Sequence, residues 1–223
     1  MRKINWINGK ITKTLEKEVL SVIDELEAKL GIKLDFIIQV RFHKSRTSYE
    51  KQLEKHNTQN WEVGNTSENN EIDIFHPDVF EDESSHKRED FLKILKHEIT
   101  HIYIKKLANS KAVPMWLNEG LAMYLAGQVK QYRNKTGLYI ETEYASKLSS
   151  PSGWNKYADH DAYRFACLFV NFLVTKYGLE PIIRLIKSIP QNYYRSSFEK
   201  IFNEIFKTTI AEAEEKFVNE TNS

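Results

Sequence analysis

A chain of 223 residues with 41% hydrophobic and 12% aromatic side chains has enough apolar material for a core, which excludes a disordered polymer. Lysine and arginine number 32 against 31 acidic residues, so no charge excess points to nucleic acid or an anionic membrane as partner. The single cysteine, Cys167, excludes an intrachain disulfide framework, and within the apolar stretch 165–174 it reads as a small buried hydrophobe.

The first ten residues include basic side chains but no apolar run behind them, so no secretory signal is expected. The longest apolar stretch, 165–174, is interrupted by Asn171 and falls far short of the roughly 20 residues a membrane span needs. These features predict a soluble, cytoplasmic protein. Leu15, Val19, Val22, Ile23, Leu26 and Leu30 recur at helical spacing, and Gly31 closes that helix. Residues 34–42 are rich in Ile, Val and Phe and read as a strand. A polar helix is expected over 48–56, a short strand over 61–64, and a turn at Ser67-Glu68-Asn69-Asn70. Residues 71–75 alternate polar and apolar, a strand that Pro77 ends. A charged loop over 78–88 enters a helix spanning 85–107, where Phe91, Leu92, Leu95, Ile99, Ile102 and Tyr103 fall three and four apart.

The second half reads as helical throughout. Pro114 suits a first helical turn and Gly127 a position just past an end. Residues 132–152 are ambiguous between a hairpin and an irregular loop. One long helix is expected over 156–177, stopped by Gly178. Pro181 starts another, and helices over 197–206 and 209–218 finish the chain, with Thr209 and Glu212 at capping-box spacing.

Within the 85–107 helix stands His97-Glu98-Ile99-Thr100-His101. Residues four apart on a helix share a face, so both imidazoles point to one place, as two ligands of a tetrahedral zinc ion must. Glu98 is turned about 100° from His97, beside the metal rather than on it, where it can take a proton from a zinc-bound water. Two such polar residues on an otherwise apolar stretch are costly to bury unless paired or metal-bound. The next acidic residue in an apolar helix is Glu119, within Pro114-Met115-Trp116-Leu117-Asn118-Glu119-Gly120. The 17 residues between His101 and Glu119 let the chain turn and return, so that Glu119 completes a three-ligand site with an open fourth position.

His97-Glu98-x-x-His101 followed by Trp116-Leu117-Asn118-Glu119-Gly120 resembles the gluzincin clan of zinc metallopeptidases, which includes thermolysin and the aminopeptidase N type. The nearer likeness is to small bacterial peptidase MA-like domains. Ala162-Tyr163-Arg164-Phe165, Phe172 through Tyr177-Gly178, and Phe202-Asn203-Glu204-Ile205-Phe206 to Phe217 are similar to later segments of that family. The resemblance covers roughly 71–218 and implies zinc on His97, His101 and Glu119, at about 2.0–2.2 Å. It implies Glu98 as general base and then acid toward the leaving amine. It implies that Tyr163 donates to the oxyanion of the tetrahedral intermediate, with Tyr157 and His160 as alternatives. It also implies that strand 71–75 is the cleft's edge strand and holds a peptide by strand addition.

Two departures stand out. Where thermolysin-like members carry an Asp four residues after the Glu ligand, this chain has Met123. The Gly-x-Met-Glu-Asn segment of aminopeptidases is missing, which favours cleavage within chains over aminopeptidase action. The expectation is therefore an α+β fold and one zincin-like domain over 1–223. A small mixed-sheet lobe (1–108) would end in the His97–His101 helix. A mostly helical lobe (109–223) would supply Glu119 and Tyr163, with a zinc cleft between the lobes. The expected function is zinc-dependent hydrolysis of a peptide or protein substrate. The competing readings are a non-catalytic metal-stabilised peptide- or protein-binding module, and a helical interaction domain whose motif is accidental.

Overall fold

Local capping explains where the first helix runs. Thr12 accepts a hydrogen bond from the Leu15 backbone at 3.2 Å, and Gly31 adopts a left-handed conformation (φ 65) while its N–H donates to the Glu27 carbonyl. Between them α1 (Lys13–Leu30) buries Val19, Val22, Ile23, Leu26 and Leu30. The computed structural model describes residues 3–67, 69–133, 143–191 and 195–221, with the backbone alone of Asp159 and His160. The chain is α+β, and it divides into two units, Met1–Tyr103 and Ile104–Ser223. The division falls inside one helix, α3 (Phe91–Leu107).

The first unit holds a four-stranded sheet. Its strands are β1 (Ile4–Ile7), β2 (Ile38–His43), β3 (Gly64–Thr66) and β4 (Glu71–Phe75), in the order β1-β2-β4-β3. β1, β2 and β4 run parallel, and β3 is antiparallel to β4. α1 makes the crossover that a parallel β1–β2 pair requires. A second helix, α2 (Arg46–Leu53), follows β2. Ile38, Val40, Phe42, Ile72, Ile74 and Phe75 are buried in the sheet. Phe42 stacks on Trp6 at 5.4 Å and approaches Phe91 of α3 at 6.4 Å. Lys96 of α3 meets Glu25 of α1 at 2.7 Å.

Several expectations need correcting here. The strand 71–75 forms as expected but is interior, between β2 and β3, and the edge strand beside it is β3. Its alternation looked like one wet face, yet Asp73 is 2% exposed because Arg41 and His43 satisfy it inside the protein. The strand expected at 61–64 begins only at Gly64. Arg46 explains the shift: its guanidinium donates to the carbonyls of Gln59, at 3.1 Å, and Glu62, at 2.6 Å, and holds that segment as a turn. The 85–107 helix starts at Phe91, after a single 3₁₀ turn at Arg88–Asp90.

The described part of the second unit is helical: α4 (Met115–Leu125), α5 (Val129–Arg133), α6 (Tyr144–Lys147), α7 (Pro151–Tyr157), α8 (Tyr163–Tyr177), α9 (Leu179–Lys187), α10 (Arg195–Phe206) and α11 (Ile210–Thr221). Where described, 132–152 contains helix and no hairpin, and 134–142 lie outside the described residues. The single helix expected over 156–177 is two helices. A π-helical turn, Ala158–Ala162, separates α7 from α8, and within it Asp161 takes a positive φ of 60. Asp tolerates that conformation better than most residues, and the apolar period alone does not reveal the break. α4 and α8 pack closely: a Cβ on Gly120 would lie 2.3 Å from the Ala166 carbonyl oxygen. Trp116 meets Phe169 at 5.2 Å, and Phe217 of α11 meets Phe165 at 5.8 Å. Cys167 is fully buried, which pushes its thiol up to about 12. Among the described residues no single helix is long and apolar enough to cross a membrane. Tyr163–Tyr177 and Leu179–Lys187 pass such a test only together, and they bend by 112°.

Candidate metal centre

The motif lies in the middle of α3, whose interior is apolar on the side of Leu95, Ile99 and Ile102, each no more than 1% exposed. Thr100, also fully buried, is satisfied by the Lys96 carbonyl at 2.7 Å. With those residues turned inward, one helical turn brings His97 and His101 together. Their Nε2 atoms lie 3.0 Å apart, with ring planes at 83° and centroids 4.7 Å apart. Two nitrogens bound at 2.0–2.1 Å to one tetrahedral ion would stand about 3.3 Å apart, so the spacing suits a shared cation. One ligand atom from each of His97, His101 and Glu119 lies within 4.8 Å of the others, and all three residues are half-buried. Among the described residues no other three His, Cys, Asp or Glu side chains form such a group. The donor set, two imidazoles and a carboxylate, fits zinc with one position left open.

Glu98 is buried, at 6% exposure, while His97 beside it is half-buried. The Thr66 hydroxyl of β3 lies 2.6 Å from Glu98 Oε2 and 3.0 Å from the Glu98 carbonyl oxygen. Gly64, two residues earlier on the same strand, leaves room for the carboxylate: a Cβ there would stand 2.8 Å from Oε1 and 2.9 Å from Cγ. Tyr49 of α2 has its phenol driven far above its ordinary range by burial and by the carboxylates of Glu98, Glu62 and Asp73. It is therefore a neutral O–H at any physiological pH.

The edge of the sheet bears on the same carboxylate. Phe75 N–H donates to the Val63 carbonyl at 3.3 Å and Ser67 N–H to the Glu71 carbonyl at 2.8 Å. With Asn65 paired to Asp73, the alternation of an antiparallel ladder turns the main-chain groups of Val63, Asn65 and Ser67 toward β4. Those of Gly64 and Thr66 turn outward to the free edge. Sequence reasoning missed both residues. Thr after Gly-Asn is a strand signal, but what brings it to Glu98 is pairing with β4.

Tyr163 opens α8 directly after the π turn, half-buried, with its ring edge-on to Trp154 at 4.8 Å. Tyr157 lies edge-on to Tyr144 at 5.7 Å, and the side chain of His160 lies outside the described residues. Met123 is buried in α4 and offers no acceptor to a histidine. A further phenol, Tyr132 of α5, is pushed up to about 12, first by burial and then by Cys167, with Glu119 adding to the shift. Periodicity gave no sign of it, since it stands next to a stretch with no clear pattern. No protein-family model matches the chain, and no curated protein matches it significantly.

Proposed function

We propose that this chain is a zinc-dependent peptidase of gluzincin type with a zincin-like arrangement, cleaving within peptide or protein chains. The observation that carries the proposal is the pair of facing imidazole nitrogens, 3.0 Å apart, with the buried Glu98 carboxylate on the residue between. His97, His101 and Glu119 would hold the ion, whose Lewis acidity lowers the pKa of a water and polarises a carbonyl. Glu98 takes the proton from the attacking water and delivers it to the leaving amine, the reciprocal use of one carboxylate as base and acid. Tyr163 would hydrogen-bond the developing oxyanion, a contribution of about 3 kcal/mol in comparable sites. A π turn immediately before it suits that role, because such turns are frequent at functional sites. The outward main-chain groups of Gly64 and Thr66 supply an edge on which a substrate strand can add, in place of the interior strand 71–75.

The experiment is Glu98→Gln assayed on a broad peptide library, with zinc measured in the purified protein. The variant should retain zinc and lose turnover by about 10²–10⁴-fold, the range typical of a general base. Full turnover in Glu98→Gln, or wild-type protein that binds peptide and zinc but never cleaves, would overturn the proposal. The second outcome would leave a metal-stabilised binding module.

A further inference from the structure

Resting on that reading, we infer that Thr66 is a positioning residue for Glu98, and that Gly64 provides the clearance in which it works. The two positions are one strand period apart, so both present the same face of β3. That face meets Glu98. Thr66 Oγ1 lies 2.6 Å from Oε2, the distance of a charge-assisted O–H···O⁻ bond. A Cβ at position 64 would overlap Oε1 and Cγ. The glutamate is thus bonded at Oε2 by Thr66 and fits at Oε1 and Cγ because position 64 carries no Cβ. Glu98 is 6% exposed, so water contributes little to fixing its orientation.

A hydroxyl suits the task better than a fixed N–H. It has one proton to donate and lone pairs with which to accept, and the Glu98 carbonyl oxygen lies 3.0 Å away as a second acceptor. The Thr66 hydroxyl thus faces two acceptors of one residue, Oε2 and the carbonyl oxygen, and ties the Glu98 side chain to its own main chain. Thr66 and Gly64 also carry the outward main-chain groups of the edge, so a strand adding there bonds the residues that hold the base.

The test has two arms. In the zinc-loaded protein, Thr66→Val should lower kcat by about 10–100-fold with KM within about twofold, and Thr66→Ser should return kcat to within about threefold of wild type, since only the hydroxyl matters. Gly64→Ala should lower kcat similarly without loss of zinc. In zinc-free protein, the urea midpoints of wild type, Thr66→Val, Glu98→Ala and the double variant form a cycle. Thr66→Val should lower the midpoint more in the wild-type background than in the Glu98→Ala background, where only the bond to the main-chain carbonyl of residue 98 is left to lose. Additive midpoints, or a Thr66→Ser protein as impaired as Thr66→Val, would overturn the inference. If Thr66→Val does not fold, the Ser variant and Gly64→Ala decide: unchanged kcat in Gly64→Ala, or a serine that fails to support turnover, sinks it. Because the cycle needs neither metal nor substrate, failure of the peptidase reading shows separately, as wild-type protein without turnover.

Discussion

Asp73 and Phe169 occupy the same kind of position, the buried middle of a unit, and are held there by opposite means. Asp73 is 2% exposed and accepts from His43 Nε2 at 2.8 Å and Arg41 Nη1 at 3.3 Å, while His43 Nδ1 lies 3.1 Å from the Ser48 hydroxyl and Arg41 also reaches Glu71 at 3.2 Å. Phe169 is fully buried among rings, 5.2 Å from both Trp116 and Phe165 and 5.5 Å from Phe217. Around Asp73 the interior is ordered by directional bonds, around Phe169 by shape. The difference teaches where each will fail: a hydrogen-bonded centre is sensitive to a lost partner, a packed one to a changed volume. The proposed base, Glu98, lies in the same unit as the Asp73 network.

The largest effect follows from removing the polar centre. Asp73→Ala leaves His43 buried without its carboxylate and Arg41 with Glu71 alone. Breaking a buried pair from one side typically costs 3–5 kcal/mol. Arg41 is partly open to water, so a loss of about 3 kcal/mol is expected, read from urea unfolding of zinc-free protein. A cost under about 1 kcal/mol would show that the network tolerates the loss, and the comparison with Phe169 would break down.

How far the chain could be read before folding tracks how local the cause is. α1 was legible because its apolar residues keep a helical period and Gly31 acts within a turn of its end, and His97, Glu98 and His101 because one helical turn fixes their relation. β4 was legible as a strand but not as an interior one, because the partners of Asp73 sit on another strand, at Arg41 and His43. The start of β3 was hidden by Arg46, which takes up carbonyls more than ten residues away along the chain. Thr66 could not be foreseen, since 32 residues separate it from Glu98 and only the folded sheet joins them. The π turn before Tyr163 left the apolar period of the surrounding helices readable as continuous.

An intermediate effect tests the packed unit. Gly120 lies inside α4, where helix propensity favours alanine by about 1 kcal/mol. Against that stands the contact with α8, where a new Cβ would be 2.3 Å from a backbone oxygen and 2.6 Å from Val170 Cγ2. Overpacking of this kind usually costs 1–3 kcal/mol, and a carbonyl has less freedom to give than a side-chain tip. Gly120→Ala should therefore destabilise by about 2 kcal/mol net in chemical unfolding. Stabilisation instead would mean that α4 and α8 slide apart freely, and that shape does not order this unit.

The smallest effect lies at the start of α11, where neither means of ordering the interior is at work. Thr209 Oγ1 accepts from the Glu212 N–H at 3.1 Å, and Glu212 Oε2 accepts from the Thr209 N–H and the Thr208 hydroxyl, each at 2.9 Å. Thr209→Ala removes one of these bonds and should cost about 1 kcal/mol, the usual size of an N-cap loss. The same hydrogen bonds, led by the Thr209 backbone N–H, hold the Glu212 carboxyl below its ordinary 4.5. A carboxylate with a depressed folded pKa binds fewer protons in the native state than in the unfolded one. Its contribution is therefore complete above the unfolded value and fades as pH falls through the folded one. Glu212→Ala should accordingly weaken the protein at pH 7 and make no difference in acid below that folded value. A penalty of equal size at both pH values would show that the carboxylate acts there through packing, as the rings around Phe169 do, and not through its charge.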